Sequence, residues 1–521
     1  MRQNTTANPL RKLSQSLILG ILLLAISPIA KAAPWTEVNP RICLVLKGGG
    51  ALGFAHVGVL KVLEENRIPV HCIAGTSMGS IVGAAYASGN KMEKIQAVLS
   101  TTNWNDLFGE KVQRSNLDYR MKPGRNREIY GDLKLSFAKG HLQSPAGIVE
   151  GQNIRLLFQD LFGNPITPTN FDDLPIPFRA VTTDIETAET YVPESGDLSS
   201  VVRASMSVPG AFAPLEIDGR YLVDGGLTDN LPIDVARELG ADILIVVDLK
   251  SQLAKRETLT SPFSVSGQMV SMLLMQNAAQ SLKLVKPTDI VISPDVSKYA
   301  VTDFDKATAI AAIGEDAALS VVESFKHLAL SEKEYQQYQT KRLRPEVDTD
   351  KTLDFIKIKN NSKISDQRLI KEAKLKTGKK IDLDKIEKGV SKLYQSGYFQ
   401  SVQYSLLEED GKTGILLDAD AKTWLEQYVR LGFSIEDNLD GDDNFRLAAA
   451  YRTTTLQDSY TEYQAEIGKT PQLFVEHYHL LSPSSEYFIN PSARVGRADL
   501  VVRSDGENIA EYQRESGAGT R

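Results

Sequence analysis

The stretch "IAGTSMGSIVGAAYAS", from Ile73 to Ser88, places a serine between two glycines where a predicted strand ends and a predicted helix begins. The preceding "PVHCIA" has the pattern of a buried strand, and "MGSIVGAAYA" that of a helix with a small-residue face. A serine in such a turn exposes its hydroxyl above the sheet, while Gly75 and Gly79 let neighbouring backbone come close. The helix N-terminus directs N–H groups toward that hydroxyl. The pattern predicts a nucleophile at Ser77, with a small-residue turn as the alternative.

The surrounding sequence predicts an α/β domain. Short apolar segments alternate with helical stretches from Ile42 to about Pro294. These segments are "ICLVL", "VHCIAG", "FRAVTTDI", "DILIVVDL" and "DIVISP". Near-continuous apolar strands that alternate with helices indicate a mostly parallel sheet covered by helices on both faces. We therefore expect an α/β domain over residues 42–300, followed by a helical extension and linker over residues 301–350.

A glycine cluster, Gly48-Gly49-Gly50-Ala51-Leu52-Gly53, follows the first predicted strand. It matches the G-x-G-x-x-G pattern of a dinucleotide-binding loop. However, the next strand ends in Thr76 and Ser77 rather than in an acidic residue that could hold a ribose. The favoured interpretation is an oxyanion hole, in which N–H groups around Gly49 to Ala51 face the developing oxyanion of an ester.

A serine nucleophile needs a base. None of the histidines considered for this role is well placed in the chain: His56, His71, His327, His477 and His479. The remaining candidate is Asp224, which a predicted strand delivers into a turn with Gly225 and Gly226. Such a turn brings the carboxylate to the edge of the sheet, although an ordinary turn aspartate has the same pattern.

Three blocks of sequence resemble, in order and spacing, the patatin-like phospholipase family. They are Gly48 to Gly53, Gly75 to Gly79 and Asp224-Gly225-Gly226, and "TTDIETAET" and "RASMSVPGAFAPLEIDGRYLVDGG" agree with them. The resemblance covers residues 42–236 and implies a lipid acyl hydrolase with a Ser-Asp dyad and neither cofactor nor metal. It implies that Ser77 is the nucleophile, that Asp224 is the proton acceptor, and that the oxyanion hole is formed by Gly48, Gly49, Gly50, Ala51 and Gly53. Leu52 departs from the family pattern, in which many members carry Arg or Lys.

The second predicted domain, residues 351–422, has the order β-α-α-β-β. Its segment "LYQSGYFQSV", from Leu393 to Val402, resembles the helix-to-strand corner of POTRA domains. The resemblance implies a periplasmic module attached to an outer-membrane β-barrel. With the first region, it indicates the outer-membrane patatin autotransporter type.

The last segment, residues 423–521, alternates in polarity. In "YVRLGFSI", Val429, Leu431, Phe433 and Ile435 share one face. Membrane barrel strands show this alternation, and so does a half-buried soluble sheet. Roughly five strand candidates fit before Arg521, fewer than the ~8 of the smallest membrane barrels. The expectation is an incomplete set of barrel-like strands, completed by other chains or truncated.

The N-terminus predicts export. Arg2, Arg11 and Lys12 precede an apolar run, and Ala30-Lys31-Ala32 follows it, which is the pattern of a signal peptide over residues 1–32 with a linker over 33–41. The run is shorter than the ~20 residues of a spanning helix. Together with the POTRA resemblance, this pattern implies the outer membrane or periplasm of a Gram-negative-type cell, with a surface-exposed or secreted catalytic domain as open alternatives.

Composition and cysteine usage bear on the partners. The net charge of −7 gives no reason to expect nucleic-acid binding. Cys43 and Cys72 lie in predicted buried strands, and we favour two buried thiols over a disulfide. The expected partners are a phospholipid or lysophospholipid substrate, the outer membrane and, as an open possibility, further copies of the chain.

Two further stretches bear on the substrate. The basic "DYRMKPGRNR" could contact phosphate headgroups or be a solvated loop. Met269, Met272 and Met275 share one predicted helical face, which suits an acyl-chain surface as well as packing or a subunit contact. A broad carboxylesterase, or an outer-membrane transport or assembly protein with a non-catalytic lipid-binding part, are the alternatives to a phospholipase.

Overall fold

The computed structural model describes most of the chain from residue 40 onward. The described residues are 40–104, 107, 133–138, 141–143, 152–163, 169–344, 349–422, 427–436, 444–454, 458–468, 471–482, 487–504, 507–515 and 519–520. The predicted signal peptide and the basic stretch at residues 118–127 lie outside them. No helix among the described residues is long and apolar enough to cross a membrane.

An α/β domain occupies the first region of the chain. The strands of this region are β1 (Ile42–Leu46), β2 (Cys72–Thr76), β3 (Leu133–Ala138), β4 (His141–Gln143), β5 (Thr169–Asn170), β6 (Phe178–Asp184), β7 (Glu189–Tyr191), β8 (Ser195–Gly196), β9 (Leu215–Ile217), β10 (Arg220–Asp224), β11 (Ile243–Val247) and β12 (Ile290–Ile292). Its helices are α1 (Ala55–Glu65), α2 (Met78–Ala87), α3 (Met92–Thr101), α4 (Gln152–Phe162), α5 (Leu198–Ser205), α6 (Ile233–Glu238), α7 (Pro262–Ser281), α8 (Ala307–Ser320), α9 (Val322–Phe325) and α10 (Glu332–Arg342).

The central sheet is mixed and mostly parallel, as predicted. Its strand order is β12-β11-β1-β2-β6-β10-β9, with β7 paired to β6. The pairs from β12 to β6 are parallel, and β10 runs antiparallel to both β6 and β9. Alternate residues of β1 enter two separate buried clusters: Leu44 packs with residues of α1 and α2, and Val45 packs with residues of α6. Both faces of the sheet are therefore covered, which is why its strands are apolar throughout.

The helical extension packs into the core of this domain. Ile310 and Phe325 belong to the same buried cluster as β1 and α1. The Tyr338 hydroxyl donates to the Val70 carbonyl oxygen at 3.1 Å. Arg342 is buried, donates to Glu64 Oε1 at 2.6 Å and lies 4.2 Å above the Tyr86 ring. The extension, as far as Arg342, thus helps to form the α/β core.

The two cysteines form a disulfide, so the expectation of two free thiols is wrong. Cys43 on β1 and Cys72 on β2 are directly opposite each other in parallel register, with Cα atoms 4.6 Å apart. Both residues are fully buried. Each strand read separately shows a small apolar residue, and only the pairing of β1 with β2 brings the sulfur atoms together.

The second region is a compact α+β module. Its elements are β13 (Thr352–Asn360), α11 (Asp366–Glu372), β14 (Lys379–Lys380), α12 (Leu383–Gln395), β15 (Phe399–Glu409) and β16 (Lys412–Ala421). The sheet order is β14-β13-β16-β15, with β13 parallel to β16. Leu369 and Leu393 from the helices pack on Val402 and Leu417 of the sheet. The predicted order β-α-α-β-β is present, with the short strand β14 added.

The C-terminal region is an antiparallel sheet. Its strands are β17 (Gln427–Glu436), β18 (Asn444–Thr453), β19 (Ser459–Gly468), β20 (Gln472–Leu480), β21 (Phe488–Ile489), β22 (Pro491–Ser504), β23 (Glu507–Glu515) and β24 (Gly519–Thr520). The order is β23-β22-β20-β19-β18-β17-β3-β4, so two strands come from the first part of the chain. Tyr428 of β17 pairs with Ser136 of β3. The sequence did not predict this contribution from a segment that precedes most of the α/β domain.

The two faces of this sheet differ in polarity: apolar side chains are exposed on one face, and charged side chains are buried on the other. Leu431 and Phe433 are exposed, by 38% and 58%, on one face. On the other face Glu462 is buried and accepts hydrogen bonds from Arg430 at 3.0 Å and from Arg452 at 2.7 Å. Large apolar side chains are thus turned outward and an ion-pair network is enclosed.

Candidate active site

Ser77 is the single residue between β2 and α2. Its φ of 52° and ψ of −122° place it in a backbone conformation that residues other than glycine rarely adopt. A Cβ at Gly75 would lie 2.6 Å from the Gly79 carbonyl oxygen, so only glycine fits at that position. The turn is therefore sharp and strained, and such strain costs about 1–3 kcal/mol.

The end of α5 and the residues that follow it form hydrogen bonds with the Ser77 turn and with Asp224. The Ser77 N–H donates to Ser205 Oγ at 3.0 Å. Ser205 is the last residue of α5 and is completely buried. Slightly further along the chain, the Ser207 carbonyl oxygen accepts the Asp224 N–H at 3.0 Å. The stretch "RASMSV" thus contacts both of the residues that were predicted to act together.

Asp224 lies at the same edge of the sheet as Ser77 because of the strand register. Thr76 of β2 is paired with Val181 of β6, and the next residue of β6, Thr182, is paired with Asp224 of β10. Asp224 is only 1% exposed, and its Oδ1 accepts the Gly226 N–H at 2.8 Å. Two neighbouring pairings therefore bring together a serine and an aspartate that are far apart in the sequence.

The electrostatics of Asp224 follow from its burial. Burial raises the pKa of Asp224 to about 6, because the ionised carboxylate loses its hydration. Hydrogen bonds from the Gly226 N–H and from the Ser77 side chain oppose this rise in pKa, since they favour the ionised form. The carboxyl group is thus a stronger base than a solvated aspartate, and it lies close enough to the Ser77 side chain for the two to interact.

The glycine loop runs beside Ser77. A Cβ built at Gly48 would lie 3.1 Å from Ser77 Cβ, so the two backbones approach closely. The Gly48 N–H donates to the Asn230 carbonyl oxygen at 3.2 Å, and the Asn230 side-chain amide donates to the Gly48 carbonyl oxygen at 3.4 Å. Asn230 follows Asp224 closely in the chain, so it links the glycine loop to the aspartate turn.

The N–H groups of the loop are not equivalent. The Ala51 N–H donates to the Val301 carbonyl oxygen at 2.9 Å, and the Gly48 N–H is also occupied. Among the residues that the structure describes, no acceptor is found for the N–H groups of Gly49 and Gly50. Gly53 lies in the 3-10 turn Gly50–Phe54 and packs against Met78. Of the five residues predicted to form the oxyanion hole, Gly49 and Gly50 are therefore the two whose N–H groups remain available to an oxyanion.

Lys47 does not supply a free charge to this loop. Its Nζ lies 2.6 Å from Asp248 Oδ1 and donates to the Leu249 carbonyl oxygen at 3.0 Å. Leu52, where many patatin-like proteins carry a cation, is buried. The charge of Lys47 is therefore neutralised beside the loop.

The histidines have other partners or positions. His56 is completely buried, its Nε2 lies 2.8 Å from the Lys47 carbonyl oxygen, and burial lowers its pKa to about 4. His71 Nδ1 accepts the Ile42 N–H at 3.0 Å. His327 is exposed, and His477 is hydrogen-bonded to Thr461 on the C-terminal sheet. No hydrogen bond joins a histidine to Ser77 within the described part of the chain.

The sequence did not single out Ser205, Ser207, Asn230 or Asn277, which position the site. Asn277 of α7 donates to the carbonyl oxygens of Gly226 at 3.0 Å and Leu227 at 2.6 Å. Ser205, Ser207 and Asn230 stand in or next to stretches that support the resemblance, but spacing alone does not reveal their contacts. In the part of the chain that is described, no three His, Cys, Asp or Glu side chains are grouped so that they could hold a metal ion.

The comparisons with known proteins identify two domains in this chain. Residues 44–237 match the family described as patatin-like phospholipase, whose members are generally lipid ester hydrolases. Residues 352–422 match the family described as POTRA, surface antigen variable number repeat. The chain therefore contains a patatin-like phospholipase domain followed by a POTRA domain, as both resemblances predict.

Individual relatives match only part of this chain. An uncharacterized NTE family protein of Mycobacterium tuberculosis is 34% identical over 216 residues, which are 42% of this chain and 51% of that protein. Human patatin-like phospholipase domain-containing protein 6 is 36% identical over 213 residues, which are 40% of this chain and 13% of that protein. VipD from Legionella pneumophila aligns with 15% identity and a TM-score of 0.29, covering 55% of this chain and 67% of that one. The match spans about half the length of the mycobacterial relative.

Proposed function

We propose that this protein is an exported lipid acyl hydrolase of the phospholipase A or lysophospholipase type. The observation that carries the proposal is the pairing of Ser77, in its strained turn, with a buried Asp224 whose pKa is raised to about 6. A buried carboxylate is a stronger base than a solvated one, which a serine hydroxyl requires.

In the proposed mechanism, Asp224 accepts the Ser77 proton as Oγ attacks the ester carbonyl carbon. The developing oxyanion receives hydrogen bonds from the N–H groups of Gly49 and Gly50, and losing one such donor typically costs ~10²–10³ in rate. Asp224 then returns the proton to the leaving alcohol, and an acyl-serine ester remains. A water molecule, deprotonated by Asp224, attacks this ester and releases the fatty acid, while Asp224 passes the proton to Ser77 Oγ and restores the hydroxyl.

A phospholipid or lysophospholipid is the substrate class that the family match favours. Patatin-like phospholipases are generally lipid ester hydrolases, and residues 44–237 of this chain match that family. A broad carboxylesterase would use the same dyad, and a preference for monomeric over aggregated esters would identify it.

The location we propose is the outer membrane, with export through the N-terminal signal. The POTRA domain supports an outer-membrane context. The exposed apolar face of the C-terminal sheet, opposite the enclosed Arg430–Glu462 pair, is the arrangement of strands that face lipid on one side and a polar interior on the other. The Cys43–Cys72 disulfide fits an oxidising compartment.

The test is hydrolysis of phospholipids labelled separately at each acyl chain, using the purified full chain. Ser77→Ala and Asp224→Asn are expected to lose nearly all activity. Asp229→Asn is the matched control, because Asp229 is also buried and its pKa is also raised to about 6, but its Oδ1 accepts from Ser281 Oγ and the Leu231 N–H.

Three outcomes would contradict parts of the proposal. Full activity in Asp224→Asn would require another base. Equal losses in Asp224→Asn and Asp229→Asn would indicate a general effect of altering this turn. A wild type that cleaves neither lipids nor simple esters would favour a non-catalytic lipid-binding role.

A further inference from the structure

Helix α7 has a composition and exposure that a folded surface rarely combines. Its sequence, from Pro262 to Ser281, includes no Asp, Glu, Lys or Arg. Of the residues whose exposure the structure describes, all except Phe263, only Ala278 is buried. A long helix that is both uncharged and exposed calls for a partner that tolerates apolar contact.

The exposed apolar residues of α7 form one stripe. Val265, Met269, Met272 and Leu273 are 46%, 62%, 43% and 45% exposed, respectively. Their spacing of i, i+4, i+7 and i+8 places them on one face of the helix. The hydrogen-bonding and packing residues Leu274, Asn277, Ala278 and Ser281 lie on the opposite face, so the stripe points away from the protein.

The opposite face of α7 touches the candidate active site directly. Asn277 holds the carbonyl oxygens of Gly226 and Leu227, just after Asp224. The Leu274 carbonyl oxygen accepts from the side-chain amide of Asn230 at 3.4 Å. Whatever surface binds the stripe is therefore held beside the aspartate turn and the glycine loop.

A cleft of about 430 Å³ lies between α7 and the ends of neighbouring strands. Its lining includes Met275, Ala278 and Leu282 from the helix region, and Lys47, Asp248 and Leu249 from the strand ends. A Cβ built at Gly49 would lie 3.1 Å from Leu249 Cδ1, so one residue that lines the cleft also packs against the glycine loop. The same helix therefore carries the exposed stripe, contacts the candidate site and borders a cleft next to the glycine loop.

The charges at the two ends of α7 indicate the sign of the partner. Lys255 and Arg256 precede the helix and are exposed, and Lys283 and Lys286 follow it and are exposed. Glu257 is the acidic residue among residues 250–261. An uncharged apolar stripe between two pairs of exposed cations complements an anionic lipid surface, in a protein whose net charge is −7.

We propose that the stripe Val265, Met269, Met272 and Leu273 binds an anionic lipid surface and holds it beside the active site. The inference rests on the proposed function, because it names the physical form in which the lipid substrate reaches Ser77. Methionines suit this role, since their flexible side chains adapt to disordered acyl chains.

The binding test uses the full chain with Met272→Cys, labelled with an environment-sensitive fluorophore. Cys43 and Cys72 are buried and joined, so they do not compete for the label. The matched control is Leu319→Cys on α8, where Leu319 is 47% exposed against 43% for Met272. Vesicles of phosphatidylethanolamine, with and without phosphatidylglycerol, are the probe.

The expected result is a blue shift at position 272 but not at 319, larger with phosphatidylglycerol, and unchanged when Ser77→Ala is added. The double variant Met269→Glu/Met272→Glu is expected to lower the ratio of vesicle to soluble-ester hydrolysis about tenfold, because charged groups do not enter the lipid surface. Leu319→Glu should leave this ratio unchanged.

Two results would overturn the inference. One is an unchanged spectrum at position 272 with every vesicle. The other is a shift that follows protein concentration without lipid, which would identify a second copy of the chain as the partner. A wild type without ester hydrolysis but with the lipid-dependent shift would overturn the proposed function and support the lipid-binding surface.

Discussion

Gly48 and Asn230 are joined by two hydrogen bonds. The Gly48 N–H donates to the Asn230 carbonyl oxygen at 3.2 Å, and the Asn230 side-chain amide donates to the Gly48 carbonyl oxygen at 3.4 Å. This pair connects the start of the glycine loop to the segment that follows Asp224. The donors that we propose for the oxyanion therefore depend on Asn230 for their position, although Asn230 itself need not touch the substrate.

Replacing Asn230 tests this dependence. Asn230→Ala is expected to lower kcat for a soluble ester about 10- to 100-fold with little change in KM, because a small displacement of the loop misaligns its donors in the transition state. Steady-state kinetics measure both constants. Asn66→Ala serves as the control, since Asn66 donates to the Val62 carbonyl oxygen at the end of α1. An unchanged kcat in Asn230→Ala would contradict the positioning role.

The pH dependence of the reaction follows from the raised pKa of Asp224. A base must be ionised, so kcat/KM is expected to rise with pH, reach half its maximum near pH 6, and level off above that value. Asp229 also has a pKa raised to about 6, so Asp229→Asn identifies the group that titrates. The rise of kcat/KM near pH 6 should remain in Asp229→Asn. If the rise is lost in that variant, the titrating group is Asp229, which contradicts the proposed mechanism.

The same burial predicts that Asp224 destabilises the fold when it is ionised. Its pKa is about 6 in the folded protein against a reference of 3.8, so the folded state binds this proton more tightly. The cost of ionisation is absent below pH 3.8, develops as the pH rises to about 6, and is fully present above it. Asp224→Asn removes the charge and keeps an acceptor for the Gly226 N–H.

We therefore expect Asp224→Asn to raise the free energy of unfolding by about 1–3 kcal/mol at pH 8, with little effect at pH 4. Urea denaturation at the two pH values measures this difference. A variant that is equally stable to the wild type at both values would show that the carboxylate is better solvated than its burial indicates. Loss of activity together with a gain in stability would separate a functional role from a structural one.

The Cys43–Cys72 disulfide should stabilise the fold by constraining the unfolded chain. The two residues are 29 positions apart, and a loop of this size corresponds to about 2–4 kcal/mol. Cys43→Ala/Cys72→Ala is expected to lose about that amount in urea denaturation. Alkylation of the unfolded wild type without reductant should modify neither cysteine, and modification of both would contradict the pairing.

The α/β region shows how far local patterns carry. Apolar strands such as Ile42–Leu46 and Ile243–Val247 were predicted within a few residues, because a buried parallel strand must be apolar on both faces. The turn at Ser77 was also predicted from the sequence, because a strand, two glycines and a helix follow one another within a single short stretch. The helices of residues 301–344 were separated from this domain in the prediction, because nothing in their own sequence shows that Arg342 reaches Glu64.

The sequence by itself determined the class of fold and the succession of the patatin-like and POTRA domains, and it predicted the roles of Ser77, Asp224 and the glycine loop, because each of these patterns depends on neighbours in the chain. Only the tertiary structure decided that Ala51 donates to Val301 while Asn230 holds Gly48, that Cys43 bonds Cys72, and that β3 joins the C-terminal sheet. Each of these relationships joins residues that lie far apart in the sequence. The physical reason is that hydrogen bonds, disulfides and strand pairings are set by distances in the folded chain, which no local periodicity records.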